Sequence, residues 1–445
     1  MTKTAIMNKL ASSVRKSLIE KSFATNKNKW SLRSLAAMSQ QVPSNETAAG
    51  IPRKPGPSSL VADTLLSEIN LRLAVQHRKC VDMIDQVSGK SALTLQSSST
   101  ARPKKIRAVN QPVHQGSSMK EWMDRSEKLE KVKDAILRSL NNLERVHIDT
   151  FSITEHLLSN DKPTLKRFSR ADQSLLAATF EQVRCRHAST VENIADIVIL
   201  MRGLDNSDGD MQLDDKLIDT FLRDRLGIQL LCDHYVGLSK GKPGGGISIN
   251  CKFEDVLTDA MLEAKHICDA NYGVAPEVHI LNDNLDEYEI TLIRPWVHHI
   301  LCELFKNGMT ASVQKASYEG KSAMPLDLFI RIRQNDEAKT LVCEILDQGI
   351  GIDEKGLERA FLFADSSAQH RWDRIDEQQS YAMVRQPITS LGVGLSLSQM
   401  MAQISGGSLK LEYRKQEIEL LNAKISTGCT SSLELSMRDE ITCNL

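Results

Sequence analysis

The stretch His299-Ile-Leu-Cys-Glu303-Leu-Phe-Lys306-Asn307 decides the reading of this chain, because it sets three polar functions on one helix. Positions four apart share a helical face, so His299, Glu303 and Asn307 form a single polar stripe while Leu301, Leu304 and Phe305 turn into packing. The side-chain oxygen of Asn307 is a hard, uncharged ligand suited to magnesium among phosphates. Glu303 stands one turn away, where a carboxylate can take a proton from an attacking hydroxyl. His299 can orient that carboxylate through a hydrogen bond. Taken alone, the same stripe reads equally well as an ordinary charged helix surface.

Two later segments change the balance. A β run ends in Asp347-Gln-Gly349-Ile-Gly351, and Gly392-Val393-Gly394-Leu395 opens a further helix. The Asp347 carboxylate can accept a hydrogen bond from an exocyclic amine such as that of adenine, and Gly349 and Gly351 let the backbone approach a base without an intervening Cβ. Gly392 and Gly394 precede a helix whose free amides and dipole favour phosphate oxygens. Each segment is common by chance, and Asp347 alone is a plain turn acid; their order and spacing together point to a nucleotide. Residues 353–390 between them are polar, with few apolar anchors after Phe363, as suits a lid that orders over phosphates. A plain disordered insertion has the same composition.

Outward from this core, the chain separates into two kinds of sequence. From Ser58 the apolar spacing is helical, with Leu65, Ile69, Leu73 and Val81 among charged residues. A Ser, Lys and Pro-rich stretch, 88–118, interrupts it as a flexible insertion. Periodicity returns at Trp122 and runs to Leu238 with breaks near Asp161 and Asp205. Leu176, Phe180, Val183, His187, Val191, Ile194 and Val198 predict the buried face of one long helix, and a second long helix spans Leu213 to Leu238. Successive amphipathic helices without strands predict a helical bundle over 58–240. The run Gly241 to Gly246 reads as a linker. Beyond it, over 247–440, helices at Val256 to Cys268 and Pro295 to Val313 alternate with strands at Val278 to Leu281, Leu328 to Arg333, Leu341 to Leu346, Ser408 to Tyr413 and Ser431 to Met437. That alternation predicts an α/β sandwich with a mixed sheet.

Composition narrows the function classes. The apolar share is 41% of 445 residues, enough to build globular cores, and the length favours two domains with appendages. A net charge of −1 argues against a nucleic-acid surface carried by the chain as a whole. Nine cysteines lie scattered without a Cys-x-x-Cys pair, which fits reduced thiols in a cell interior and no zinc site. No apolar run approaches the roughly 18 residues of a transmembrane helix. Residues 1–45 carry Lys3, Lys9, Arg15, Lys16, Lys21, Lys27, Lys29 and Arg33 against the single acid Glu20, with many Ser and Ala. Such a start looks like an organelle transit peptide, cleaved between Ser22 and Gln41, or else a disordered basic tail.

The three polar segments resemble the N, G1 and G2 boxes of the ATPase superfamily that holds histidine kinases, gyrase B, the ninety-kilodalton heat-shock protein and the mitochondrial pyruvate and branched-chain ketoacid dehydrogenase kinases. Within it the chain is most similar to the dehydrogenase kinases, over roughly Leu65 to Met437. Glu303-Leu-Phe-Lys-Asn-Gly-Met-Thr-Ala looks like the family's Glu-Leu-Phe-Lys-Asn-Ala-Met-Arg-Ala, and Leu357 to Ala368 resembles its segment ending in Ser-Thr-Ala. In the helical part, Arg186-His187, Phe221 to Leu231 and Ile69-Asn-Leu-Arg72-Leu-Ala resemble family helices. The resemblance implies a four-helix bundle followed by an ATP-binding α/β sandwich of the histidine-kinase and heat-shock-protein type. It implies transfer of the ATP γ-phosphoryl group to a serine of the E1α subunit of a mitochondrial 2-oxoacid dehydrogenase complex, switching it off. Glu303 matches the general base, His299 its partner and Asn307 the magnesium ligand. Lys306, Asp347, Gly349, Gly351, Ser366, Ser367, Gly392, Val393, Gly394, Leu395 and Thr430, together with Asn307, match positions that hold ATP. A homodimer, docking on the E2 lipoyl domain and a place in the mitochondrial matrix are carried over with the family.

The sequence also departs from that pattern. Thr310 replaces an arginine near the nucleotide; Ser390-Leu-Gly392-Val-Gly394-Leu395-Ser396 is a glycine and a proline short; and at Gly428-Cys429-Thr430 the late threonine is absent or displaced by one place. The chain stops soon after its last strand, without the Asp-Trp tail that pyruvate dehydrogenase kinases use at dimer and lipoyl contacts. Two rival readings stay open. A histidine kinase would autophosphorylate His187, although that residue lies on an apolar stripe. A non-catalytic ATP-binding regulator would use lid and dimer as a switch.

Overall fold

The computed structural model describes residues 57–88, 119–158, 170–202, 213–281, 288–320, 324–364, 392–420 and 423–437, with short pieces near either end of the chain. Most of the leader, the insertion from residue 89 to 118, and the lid from 365 to 391, with Ser366 and Ser367, lie outside the described residues. The elements run α1 (Ser59–Val87), α2 (Met119–Leu158), α3 (Arg170–Arg186), α4 (Thr190–Arg202) and α5 (Asp215–Ser239). They continue β1 (Ser248–Lys252), α6 (Phe253–Tyr272), β2 (Val278–Ile280), β3 (Glu289–Leu292), α7 (Arg294–Glu319), β4 (Leu328–Asn335) and β5 (Thr340–Leu346). The chain closes with α8 (Glu354–Arg359), α9 (Gly394–Ile404), β6 (Ser408–Arg414), β7 (Ile418–Leu420), β8 (Ala423–Ile425) and β9 (Gly428–Ser436). Helices first and a mixed sheet after them make an α+β protein. No helix among the described residues is long and apolar enough to cross a membrane.

The chain forms two compact units. Described residues within 1–27, 69–160 and 185–225 make the first, and those within 28–68, 161–184 and 226–445 the second. The first unit is entirely helical apart from its turns, and its interior is polar in places. The Asn70 side chain donates to Thr154 Oγ1 at 2.8 Å, Lys79 bridges Asp224 at 2.6 Å, and Gln76 donates to the Phe221 carbonyl at 3.4 Å. His147 and His187 stack edge to face, their ring centroids 4.6 Å apart. Each of these groups makes at least one such contact, although Gln76 Oε1, His147 Nε2 and His187 Nδ1 are buried without a hydrogen bond.

The predicted single helix across His187 is instead two, α3 and α4, parted by a turn at 187–189. The physical reason lies in the His187 carbonyl, which accepts from both Arg225 Nε at 3.2 Å and Arg225 Nη2 at 2.9 Å. A carbonyl drawn off by a guanidinium competes with the i to i+4 ladder, and the chain turns through three-residue bonds from Ala188 to Cys185 and from Thr190 to His187. The apolar stripe nonetheless stays buried on both sides of the break, from Leu176 and Phe180 to Ile194 and Val198. Gly241 to Gly246 also differs from a loose linker. Gly245 sits at φ +63° against His234, where a Cβ would come within 2.7 Å of the ring, and the Gly246 amide donates to His234 Nδ1 at 3.3 Å. The run is a fixed turn because its glycines let it lie flat on α5.

In the second unit a five-stranded sheet has the order β2-β4-β5-β9-β6, parallel only between β2 and β4. Alternation sends Leu328, Ile330, Ile332, Leu341, Cys343, Leu433, Leu435 and Leu409 into the core. The helices α6, α7 and α9 cover that face, with α7 packed against both α6 and α9. Pro295 opens α7, where a missing amide costs nothing, and Gly273 closes α6 at φ +73° with its amide on the Asp269 carbonyl. The two-stranded pair β1-β3 and the hairpin β7-β8 were not foreseen, their strands being short and only half-buried.

Burial lowers the pKa of several imidazoles, among them His147 to about 4, His187 to about 2 and His234 to about 4. In the unfolded chain they take protons near pH 6.5, and the fold resists that charge. Stability is therefore whole above pH 6.5 and falls as pH drops below it, by ~1.4 kcal/mol per pH unit for each such histidine. Thermal unfolding should show a lower midpoint at pH 5 than at pH 7. The stability difference between the two should shrink by on the order of 2 kcal/mol in His147→Leu.

Candidate functional site

The site is built where α7, the end of β5, the start of β9 and the start of α9 meet. Four glycines measure how closely these pieces approach, because a Cβ on any of them would strike a neighbour. On Gly308 it would lie 3.3 Å from Asp347 Cβ, and on Gly349 it would lie 2.4 Å from Ala311 Cβ. Those contacts join α7 to the β5 turn. On Gly394 a Cβ would lie 2.2 Å from Glu303 Oε2, and on Gly428 2.2 Å from the Asp347 carbonyl oxygen. The three polar segments quoted first from the sequence therefore converge on one place.

Asp347 is 5% exposed. Its Oδ1 accepts the amides of Gly349 at 2.9 Å and Cys429 at 3.1 Å, and its own amide donates to the Cys429 carbonyl at 3.0 Å. Burial holds its carboxyl above the usual range, opposed by those two amides and by the charges of Arg414 and Lys315. Both amides go to Oδ1 and neither to Oδ2. Gly351 follows at φ +78°, a conformation natural only to glycine, with the Tyr413 ring where its Cβ would be.

On α7, Leu301, Leu304 and Phe305 are buried as expected from the helical spacing, while Asn307 is half-buried. Glu303 is 8% exposed, and its carboxylate pairs with the ammonium of Lys306 three residues on. His299 does not supply that partner. Its Nε2 is buried without a hydrogen bond, and burial holds the ring below the ordinary histidine pKa, with Glu303 pulling the other way. The hydroxyl of Thr310 is likewise buried and unpaired. Val393 precedes α9 without a side-chain cap, so the amides at the helix start are open to an anion. Gly392 adopts φ +71° there, Leu395 lies half-buried in the first turn, and Ser396 Oγ bonds back to the Val393 carbonyl at 3.0 Å.

Thr430 stands apart from this group. Successive residues of a strand face opposite sides, and Cys429, whose amide holds Asp347, leaves Thr430 on the other side of β9. The Thr430 hydroxyl accepts Arg414 Nη1 at 2.8 Å. Arg414 and Gln348 escaped the sequence reading. Gln348 Nε2 donates to the Asp327 carbonyl at 3.0 Å and its Oε1 accepts the Ser426 amide at 2.8 Å. A position beside Asp347 was the only signal for Gln348, and nothing local marks Arg414.

A family model described as mitochondrial branched-chain alpha-ketoacid dehydrogenase kinase matches residues 64–256. Among curated relatives, the mitochondrial [pyruvate dehydrogenase (acetyl-transferring)] kinase of Arabidopsis thaliana is 26% identical over 247 residues, 54% of this chain and 64% of its own length. Its namesake from Schizosaccharomyces pombe is 25% identical over 245 residues, 54% and 56% of the two chains. The isozyme 4 kinase of Mus musculus is 27% identical over 259 residues, 55% and 60%. The chain is similar to these mitochondrial dehydrogenase kinases over part of its length. It spans 56% to 64% of the length of these three relatives.

The tightest of the glycine contacts gives a direct check. Gly349→Ala drives a methyl into Ala311 on α7 and should destabilise the second unit by about 1–3 kcal/mol. Denaturant unfolding followed by far-UV circular dichroism reads this as a lower midpoint at unchanged slope.

Proposed function

We propose that this chain is an ATP-dependent protein-serine kinase that phosphorylates the E1α subunit of a 2-oxoacid dehydrogenase complex in the mitochondrial matrix and inactivates it. The observation that carries the reading is the convergence of Glu303, Asn307, Asp347 and Gly394, joined by the Gly308 and Gly394 contacts. Its fold is a four-helix bundle over 58–240 and a histidine-kinase-like ATP-binding domain over 247–440, preceded by a transit peptide in 1–45. The mitochondrial names of the relatives support that address.

Asp347 Oδ2 reads the adenine amine, with Gly349 and Gly351 giving the base room. The open amides of α9 from Gly394 take phosphate oxygens, as helix starts do. Magnesium suits the donor set here, since Asn307 offers a half-buried amide oxygen beside a carboxylate, and when bound it neutralises phosphate charge. Glu303 takes the proton of the serine hydroxyl as that oxygen attacks. Lys306 occupies Glu303 beforehand, so a phosphate that draws the ammonium away frees the base. His299, with Nε2 buried and unpaired beside this carboxylate, tunes its surroundings by staying neutral. Ser366 and Ser367 complete the ATP contacts from the lid, and Thr430 supports the strand behind Asp347. A homodimer and docking on an E2 lipoyl domain follow from the family reading.

Autophosphorylation on His187 has little support. That residue is 1% exposed, its Nε2 lies 3.1 Å from Thr150 Oγ1, and its backbone is held by Arg225. A non-catalytic regulator would have no use for a buried acid aligned with an amide one turn on.

Glu303→Gln should abolish transfer from γ-labelled ATP to E1α, with nucleotide affinity within about threefold of wild type, whereas Asp347→Ala should lose binding altogether. Normal phosphate transfer by Glu303→Gln would remove Glu303 from the role of base. Parallel assays on pyruvate and branched-chain E1 identify the substrate.

A further inference from the structure

We propose that Arg414, at the end of β6, is a positioning residue for base recognition, locking the turn that carries Asp347 to the stem of the β7-β8 hairpin. The inference rests on the nucleotide reading given above and adds to it a part that the sequence motifs do not contain. One guanidinium meets four acceptors from three separate segments. Nη1 donates to the Cys429 carbonyl at 2.9 Å and to Thr430 Oγ1 at 2.8 Å, while Nη2 donates to the Asp347 carbonyl at 2.6 Å and the Ser426 carbonyl at 2.9 Å. The planar fork of arginine suits such multiple acceptance in a way a lysine point charge does not.

The consequence for Asp347 is geometric. Its Oδ1 depends on the Cys429 amide, and Arg414 holds the carbonyl of Cys429 as well as the carbonyl of Asp347 itself. Both ends of the arrangement that aims Oδ2 are thus fixed by one side chain. Gln348 repeats the tie from the other direction, accepting the Ser426 amide while donating to the Asp327 carbonyl. The hairpin stem at Ser426 is therefore bound twice to the residues that read the base. Arg414 also takes the Thr430 hydroxyl, which accounts for that threonine standing outside the pocket. The charged groups acting on Asp347 are Arg414 from β6 and Lys315 from α7, with the Cys429 thiol of β9 close by and pushed up to about 12 by burial.

Titration calorimetry with Mg-ADP on the full-length protein, wild type against Arg414→Met and Arg414→Lys, tests this across a pH series. Arg414→Met should weaken ADP by about tenfold or more, the expected result of stranding several buried acceptors, and Arg414→Lys should recover part of that loss. Asp347 must be ionised to accept an amine, so affinity falls on the acid side. Loss of the nearby cation in Arg414→Met should move that fall to higher pH, a shift that mere loosening of the fold would not produce. Circular dichroism establishes which variants are folded, and Arg414→Lys alone decides the matter if Arg414→Met is not. Folded variants that bind ADP as wild type does, with the acid limb in place, overturn the proposal while leaving the kinase reading intact. A wild-type protein that binds no adenine nucleotide overturns both.

Discussion

A carboxylate can be buried at the end of a strand only if the backbone around it supplies hydrogen bonds, and the second unit is arranged around that demand at Asp347. Two amides reach one oxygen, an arginine secures the peptide on either side, and glycines at 308, 349 and 428 let three elements close to contact distance. The apolar layer of α6, α7 and α9 over the sheet gives the cohesion. Its polar edge sets where those elements stop. A side chain on Gly349 or Gly428 would force helix or strand to stand off, and one on Gly308 would crowd Leu328 and Asp347.

The same logic explains where the Glu303 carboxylate lies. Glu303 is nearly buried on α7 and reaches across to α9, meeting a salt-bridge partner on its own helix and bare backbone on the other. An ion pair so enclosed does little for stability, because desolvating both charges offsets most of their attraction. Its effect is to hold the Glu303 carboxylate in one rotamer.

Much of this was legible before any coordinates. The spacing of His299, Glu303 and Asn307 predicted a helix, and the alternation at 328–346 predicted paired strands, because both patterns repeat over enough residues to outweigh local noise. The Gly-x-Gly turns were legible for the same reason that they work, since only glycine tolerates those approaches. What was hidden depends on partners remote in sequence. The break at His187 is caused by Arg225, 38 residues away, and the tie at Asp347 by Arg414, 67 residues away. No window centred on either site contains its cause. The face on which Thr430 lies was hidden by a single residue of register, which strand alternation converts into opposite sides of a sheet.

Gly394 carries a mechanical implication. As the first residue of α9 it belongs to the segment proposed to receive phosphate, and its bare Cα is also the surface on which the Glu303 carboxylate rests. On that proposal, a helix that shifts to grip its anion slides the floor beneath the acid, and occupancy and alignment become one movement.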